Sequence, residues 1–499
     1  MKFLFVFIGL TFLSLNAFSQ NEMNLWHFGT NGSGLKFDRL NGVTVVNGFN
    51  TRFTSCGSST VCDPITGQLL FYTDGIRIFD ASHKSMSNLL YLSGGTAVHS
   101  SGWVVHDPVV KNIFYVFSIT TATEKNVKGG LYYTKVDMSK TGNGTESSPL
   151  GAVLTSEYNI LLDDQVGEAL QVFPVLNSHD FWIVASTNKS SKLKLYRLTS
   201  KGVQFYNLFN LSFDLTDIQA MRFSPDGTKL FVSSLVENQP CILVDFDPLL
   251  GKFSNARVIP GTPLGTSNIP WAGIIDAEWS PDGSKLYISK YREEQPNKSG
   301  GKLYQYDLNK PEVPPMLIFQ VSKLSNDVSE GLRRGPDGKI YYLYNNSNNL
   351  ESLVGVINKP NLAGKACKLN AKQIKFPNSY GVGTLFPHFL INSNSITEIL
   401  DDSVKTTISN GSFIAKYPLP LSMDLQGDKL SYKVEQSEGA DVKIIDDTLI
   451  FSAPINKNGY TVSLVYSDDY FYPLSGNFSI YFLPETIGIN QKMSKGSKK

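Results

Sequence analysis

Cysteine and histidine are scarce in this sequence, with four and six residues among 499. The cysteines are Cys56, Cys62, Cys241 and Cys367, and no spacing among them matches a zinc site or a disulfide framework. Cys56 and Cys62 fall on one extended run, where six residues span ~20 Å, beyond the reach of a disulfide. All four read as buried small residues. The histidines (His27, His83, His99, His106, His179, His388) do not cluster along the chain. Charge of one sign is missing too: 45 basic residues stand against 44 acidic ones, a net charge of +1. That excludes an electrostatic nucleic-acid binder, which needs a strong basic bias. There is no Gly-x-Ser-x-Gly elbow, His-Glu-x-x-His helix, phosphate-binding loop or Gly-x-Gly-x-x-Gly turn before a helix. Asp-x-Asp-x-Asp-Gly calcium loops are absent as well. The expectation from these absences is a chain with no cofactor, no metal and no turnover chemistry.

What is present is a repeat. Phe223-Ser-Pro-Asp-Gly-Thr-Lys-Leu-Phe-Val-Ser233 returns as Trp279-Ser-Pro-Asp-Gly-Ser-Lys-Leu-Tyr-Ile-Ser289, and again in shortened form as Gly335-Pro-Asp-Gly-Lys-Ile-Tyr-Tyr-Leu343. In each, proline presets φ for the first turn position, Asp bonds its own backbone, and Gly accepts φ > 0. The following run alternates with period two, which is strand chemistry. Strand-turn-strand units recurring about every fifty residues mark propeller blades or another solenoid unit.

Six blades can be read in order, opening near Gly57, Trp103, Glu168, Gln219, Ile275 and Glu330. Asp137, Asp247 and Asp307 close the third strands of three of them. Three short N-terminal strands (24–29, 34–38, 43–46) and the segment Gly383–Leu390 are left without partners. Joining them predicts a seventh blade shared by the two ends of the propeller, which removes open sheet edges. The fold class is therefore all-β: a seven-bladed propeller over residues 20–391, then a small immunoglobulin- or cadherin-like β-sandwich over 392–485 and a disordered basic tail over 486–499.

Met1-Lys2, the apolar run Phe3–Leu15 and small residues before Gln20 read as a signal peptide, residues 1–19. The run is under the ~18 residues needed to span a bilayer. Export to the periplasm, the outer membrane or the cell surface follows, peripheral to a membrane rather than through it.

The best polar constellation comes from aligning the blades on their turn prolines. Glu168, Gln219 and Glu330 fall six positions before the proline and Asp276 five before. Carboxylates converging at a channel mouth could bind metal or work as acid and base. The alternative is a solvated mouth neutralised by Arg222, Arg333 or Arg334. Tyr291, Tyr344 and Tyr380, next to loops, are the candidates for an exposed sugar platform.

Trp26-His-Phe-Gly29, Gly34-Leu-Lys-Phe37, Gly67-Gln-Leu-Leu-Phe-Tyr-Thr-Asp-Gly75, Val356-Ile-Asn-Lys-Pro-Asn361 and Phe386-Pro-His-Phe389 resemble a family of exported bacterial propellers. That family is related to TolB- and WD-type repeats and is associated with type IX secretion. The resemblance covers roughly residues 24–390, while Gly427-Asp-Lys-Leu-Ser-Tyr432 resembles a cadherin-like module. The resemblance implies a sorting domain after the sandwich, and the lysine-rich tail does not look like one. On this reading the chain is a non-catalytic, protein-binding propeller of the envelope, a plug or scaffold whose partner is an outer-membrane β-barrel or another component of the secretion and gliding apparatus. Two other readings stand beside it: a lyase or hydrolase acting at the channel mouth, and a carbohydrate-binding surface protein.

Overall fold

The computed structural model describes residues 21–484 except 29–31, 39–41, 51–56, 96–97, 99, 121–129, 189, 267–271, 293–299, 323–326, 347–350, 377–384, 390–401, 420–425, 469 and 471–474. The leader, the tail, Cys56, His99 and Tyr380 lie outside the described residues. Apart from three single-turn 3₁₀ segments, every described element is a strand.

The Pro-Asp-Gly units build the expected hairpins. Phe223 pairs with Leu230 and Trp279 with Leu286 across the turn. The turn Asp accepts from the preceding Ser hydroxyl, Ser224 to Asp226 at 2.6 Å and Ser280 to Asp282 at 2.7 Å. The turn glycines Gly227, Gly283 and Gly338 have φ of +68°, +67° and +70°, a region L residues enter only at a cost. At Gly227 the ring of Phe173 also stands 2.3 Å from where a Cβ would sit, so the turn packs on the blade before it.

The sheets form seven blades. Blade 1 has three strands (Ser59–Cys62, Leu69–Thr73, Ile78–Asp80). In blade 2 the inner strand is Trp103–His106, and both Ala152–Val153 and Ile160–Asp163 pair with its third strand, Gly130–Asp137. Blades 3 to 6 are regular four-stranded meanders with inner strands Val166–Pro174, Ile218–Phe223, Ile274–Trp279 and Val328–Arg334. Blade 7 holds the N-terminal strands Leu25–Phe28, Ser33–Asp38 and Gly42–Asn47.

The C-terminal segment of the propeller joins blade 7 more lightly than its sequence suggests. Among the described residues it makes one parallel bridge, His388 to Ser59 of blade 1, with the His388 N–H donating to Ser58 O at 2.7 Å. Its phenylalanines do the rest. Phe386 and Phe389 stand 5.3 and 5.7 Å from Trp26, ring centre to ring centre.

Closure is visible in the packing. An apolar cluster fills every seam between neighbouring blades, including blade 6 to 7 (Trp26, Leu35, Tyr341, Val354) and blade 7 to 1 (Phe49, Tyr72, Phe79). The core is thus distributed around a ring, with the inner strands lining its axis.

After the propeller, seven strands run in the order Ser431–Gln436, Tyr460–Ser467, Ser475–Pro484, Asp402–Ser409, Ser412–Pro418, Thr448–Pro454, Asp441–Ile445. They enclose a separate apolar cluster that includes Leu449, Phe451, Val462, Leu464 and Phe482. This unit meets the turn ends of blades 2 and 3. The Tyr470 ring stacks on His179 at 3.6 Å and its hydroxyl donates to Pro108 O, while His179 Nε2 lies 3.5 Å from Asp428 Oδ1. Among the described residues no helix is long and apolar enough to cross a membrane.

Candidate functional site in the channel

The inner strands of blades 3 to 6 share a defect at their first residues. Pairing with the second strand shifts between Val166 and Leu170, Ile218 and Ala220, Ile274 and Asp276, and Ser329 and Leu332. Bulges of this kind leave a residue outside the ladder and re-aim its side chain. Glu168, Gln219 and Glu330 fall within the defect; the corresponding residue of blade 5 is Ile275. Asp276 is one residue further on, and period-two alternation separates it from that set.

The four candidates accordingly divide. Gln219 Nε2 donates to Glu168 Oε2 at 2.7 Å, linking blades 3 and 4 at the mouth. Glu330 is buried. Asp276 instead accepts from Arg222 Nη2 and from the Leu332 N–H, each at 2.9 Å. Of the two readings of the mouth, neutralisation by Arg222 is the one seen at Asp276, which is already paired to that arginine.

Two residues along the same strand, Glu278 repeats the arrangement. Its Oε1 accepts from the Trp279 N–H at 2.9 Å and its Oε2 from the Arg334 N–H at 3.3 Å. Arg222 Nε lies 4.0 Å and Arg333 Nη1 3.9 Å from Oε2. Arg222 also donates from Nε to Ala277 O at 3.0 Å. Asp276 and Glu278 thus stitch the inner strand of blade 5 to those of blades 4 and 6, replacing ladder bonds that inner strands of separate sheets cannot make. Removing either carboxylate would leave buried charge uncompensated.

The unspent chemistry of the channel is cationic. Arg333 and Arg334 are 5% and 6% exposed. Arg333 Nε and Arg334 Nη1 are buried with no hydrogen-bond partner among the described residues. Burial and the nearby Arg222 charge bring Arg333 down to about 9, so it is still a cation at neutral pH. Its Nη2 faces His388 Nδ1 at 3.5 Å. The His388 ring lies flat on Trp103, with centroids 4.8 Å apart and planes 12° apart, and Trp103 Nε1 is a further buried donor without a partner among the described residues. Buried donors left unmet are costly, and an anion meeting a guanidinium recovers that cost through charge-assisted bonds.

Sequence reasoning read Arg222, Arg333 and Arg334 only as neutralisers and did not read Glu278, Trp103 or His388 as part of the site. The Asp276-x-Glu278 spacing, which puts both carboxylates on one strand face, was the available signal. Among the described residues no group of three His, Cys, Asp or Glu is placed to hold a metal. Tyr344, expected next to a loop and exposed, is buried at 2%, and its hydroxyl donates to Ala371 O.

No protein-family model matches the chain, and no curated protein does. Solved propellers resemble it in fold. A protein of Bacteroides fragilis provisionally named 6-phosphogluconolactonase is 10% identical, with 74% of this chain and 97% of that one covered and a TM-score of 0.44. TolB of Acinetobacter baumannii is 15% identical, with coverages of 67% and 76% and a TM-score of 0.29. A chain of the mitotic checkpoint complex is 11% identical, with coverages of 68% and 94% and a TM-score of 0.32. The fold is that of a seven-bladed propeller with TolB among its structural neighbours. These neighbours include both an enzyme-named propeller and a member of a protein assembly. The expectation of a non-catalytic, protein-binding secretion partner is corrected by the first of them, and with it the expectation of no turnover.

Proposed function

We propose that the protein is a small-molecule hydrolase of the propeller channel, acting on an ester or lactone that carries a carboxylate or phosphate. One observation carries the reading: Arg333 Nε and Trp103 Nε1 are buried donors, unmet by described residues, on either side of His388 in a channel whose carboxylates Asp276 and Glu278 are engaged by backbone and arginine. The anionic group of the substrate binds these donors. His388 accepts from Arg333 Nη2 at Nδ1 and the Trp103 stack fixes its ring, so it positions the guanidinium. Water bonds through its oxygen to the carbonyl carbon and gives up a proton as the ester C–O bond breaks. The departing alcohol oxygen takes that proton, so a lactone plus water gives a hydroxy acid. The carbonyl oxygen gains negative charge on the way, which a guanidinium stabilises.

The leader-like N terminus supports an extracytoplasmic setting, and fractionation of expressing cells tests it. The C-terminal unit is read as an immunoglobulin-like module seated on the turn face beside the channel.

Acid release from sugar-acid lactones and their phosphates, followed in a pH-stat, tests the activity. Arg333→Met is expected to raise KM by at least about tenfold, since a hydrogen bond to a charged group contributes about 1.5–3 kcal/mol. Because burial and Arg222 lower Arg333 toward about 9, phosphate or gluconate should raise the melting temperature at neutral pH and raise it less at more alkaline pH. No acid release from any lactone, together with no response to either anion, would overturn the proposal.

A further inference from the structure

A second site lies between blades 1, 2 and 7 and shares His388 with the channel site. The 3₁₀ turn Asn21–Met23 places Glu22 over a cavity of about 40 Å³ lined by Ser59, Cys62, His106, His388 and Phe389 among others. That volume exceeds the ~10–15 Å³ one water needs. Glu22 is 7% exposed and Ser59 2%. Beyond a weak interaction with its own backbone amide, neither oxygen of Glu22 finds a hydrogen-bond donor among the described residues, and Ser59 Oγ is likewise buried without a partner there.

The lining is rich in acceptors and contains no cationic side chain. His106 adds one more. Its Nδ1 donates to Asp107 O at 3.1 Å, which leaves a lone pair on Nε2, and burial keeps the ring neutral by lowering it to about 4. The groups facing Glu22 do not help it ionise. Asp468 raises it, and Glu22 and Asp63 in turn raise the Cys62 thiol. A buried carboxyl among acceptors either holds its proton or meets a cation.

We propose that this cavity binds a small monovalent cation (sodium, potassium or ammonium) through the Glu22 carboxylate, the Ser59 hydroxyl and His106 Nε2. One carboxylate supplies one unit of charge, which a monovalent ion balances. A zinc- or calcium-type site needs more ligands than this, and no group of three His, Cys, Asp or Glu is so placed among the described residues. The cation replaces the proton, so binding strengthens with pH up to about 8, where Glu22 ionises unaided. Although His388 lines both sites, the proposal does not rest on the hydrolase reading, and its test reads stability and protons rather than turnover.

The full chain is melted in sodium, potassium and ammonium chloride, and in choline chloride of equal ionic strength, whose cation is too large for the cavity. Above pH 8 at least one small cation is expected to raise the melting temperature by about 2 °C or more over choline. Below about pH 6 that difference shrinks as protons compete. Adding the effective ion to weakly buffered protein near neutral pH releases up to one proton per chain. Glu22→Gln removes both effects. Should that variant fail to fold, proton release from the unaltered chain decides alone. Equal melting in choline and in all three small cations at alkaline pH, or no proton release, would overturn the proposal.

Discussion

Trp26→Ala is expected to destabilise the propeller by about 3–5 kcal/mol, the range for removing a large aromatic from a core. Trp26 is fully buried, and its ring meets four others: Phe37 at 4.7 Å, Tyr341 at 5.4 Å, Phe386 at 5.3 Å and Phe389 at 5.7 Å. Those partners come from its own blade, from blade 6 and from the segment that closes the ring. Because that segment makes only one described bridge to a strand, aromatic packing carries the closure. Denaturant unfolding should show the loss as a lower midpoint. It should also show a changed slope if the ends come apart while the other blades persist. Leu90→Ala, at a residue 78% exposed, is the control and should stay within about 0.5 kcal/mol. A Trp26→Ala chain as stable as that control would mean that the ring is closed by something else.

The blades were legible because their determinants are local. Pro-Asp-Gly dictates a turn whatever surrounds it, and alternation on either side dictates strands. Asp137, Asp247 and Asp307 end third strands as read, because each accepts from backbone N–H groups of the turn that follows, as in Leu249 N–H to Asp247 Oδ1 at 2.9 Å. The hairpin at Asn410-Gly411 was equally readable, and both residues have positive φ. What could not be read is whatever depends on neighbours fifty or more residues away. Arg222 and Asp276 meet only because blades 4 and 5 sit side by side. The alignment on prolines placed Glu168, Gln219 and Glu330 correctly at one structural position. It admitted Asp276 because a one-residue offset looks small in sequence, yet in a strand it separates the two faces. Glu22 gave no signal at all, since an acidic residue beside a leader looks solvated until a ring folds over it.

Stability is expected to be greatest near pH 6.5 when small cations are replaced by choline, and to fall on both sides. His27 is fully buried, with Nδ1 2.6 Å from Thr60 Oγ1, and burial lowers it to about 3; His106 is lowered to about 4. Both titrate near 6.5 once unfolded. Below that pH the unfolded chain therefore takes up protons that the folded chain refuses, and acid destabilises. Glu22 acts in the opposite sense. It is raised from 4.5 to about 8, so between those values the folded chain holds a proton that the unfolded chain has released, and rising pH destabilises. At pH 6.5 the two histidines are each half protonated in the unfolded chain, one proton in all, which balances the one held by Glu22. Either side of that point, stability should change by about 1.4 kcal/mol per pH unit for each net proton. The Glu22 part of the alkaline limb ends near pH 8, and the buried Cys62 and Cys241 thiols, raised from 9 to about 12, prolong the fall above pH 9. Below about pH 4 the salt-bridged Asp163, Asp245 and Asp307, all held below the ordinary carboxylate value, add to the acid limb. Urea unfolding at a series of pH values measures the profile directly. Glu22→Gln should flatten the alkaline limb and leave the acid limb in place, and stability that continues to climb from pH 6.5 to 8 would show that Glu22 is not held protonated.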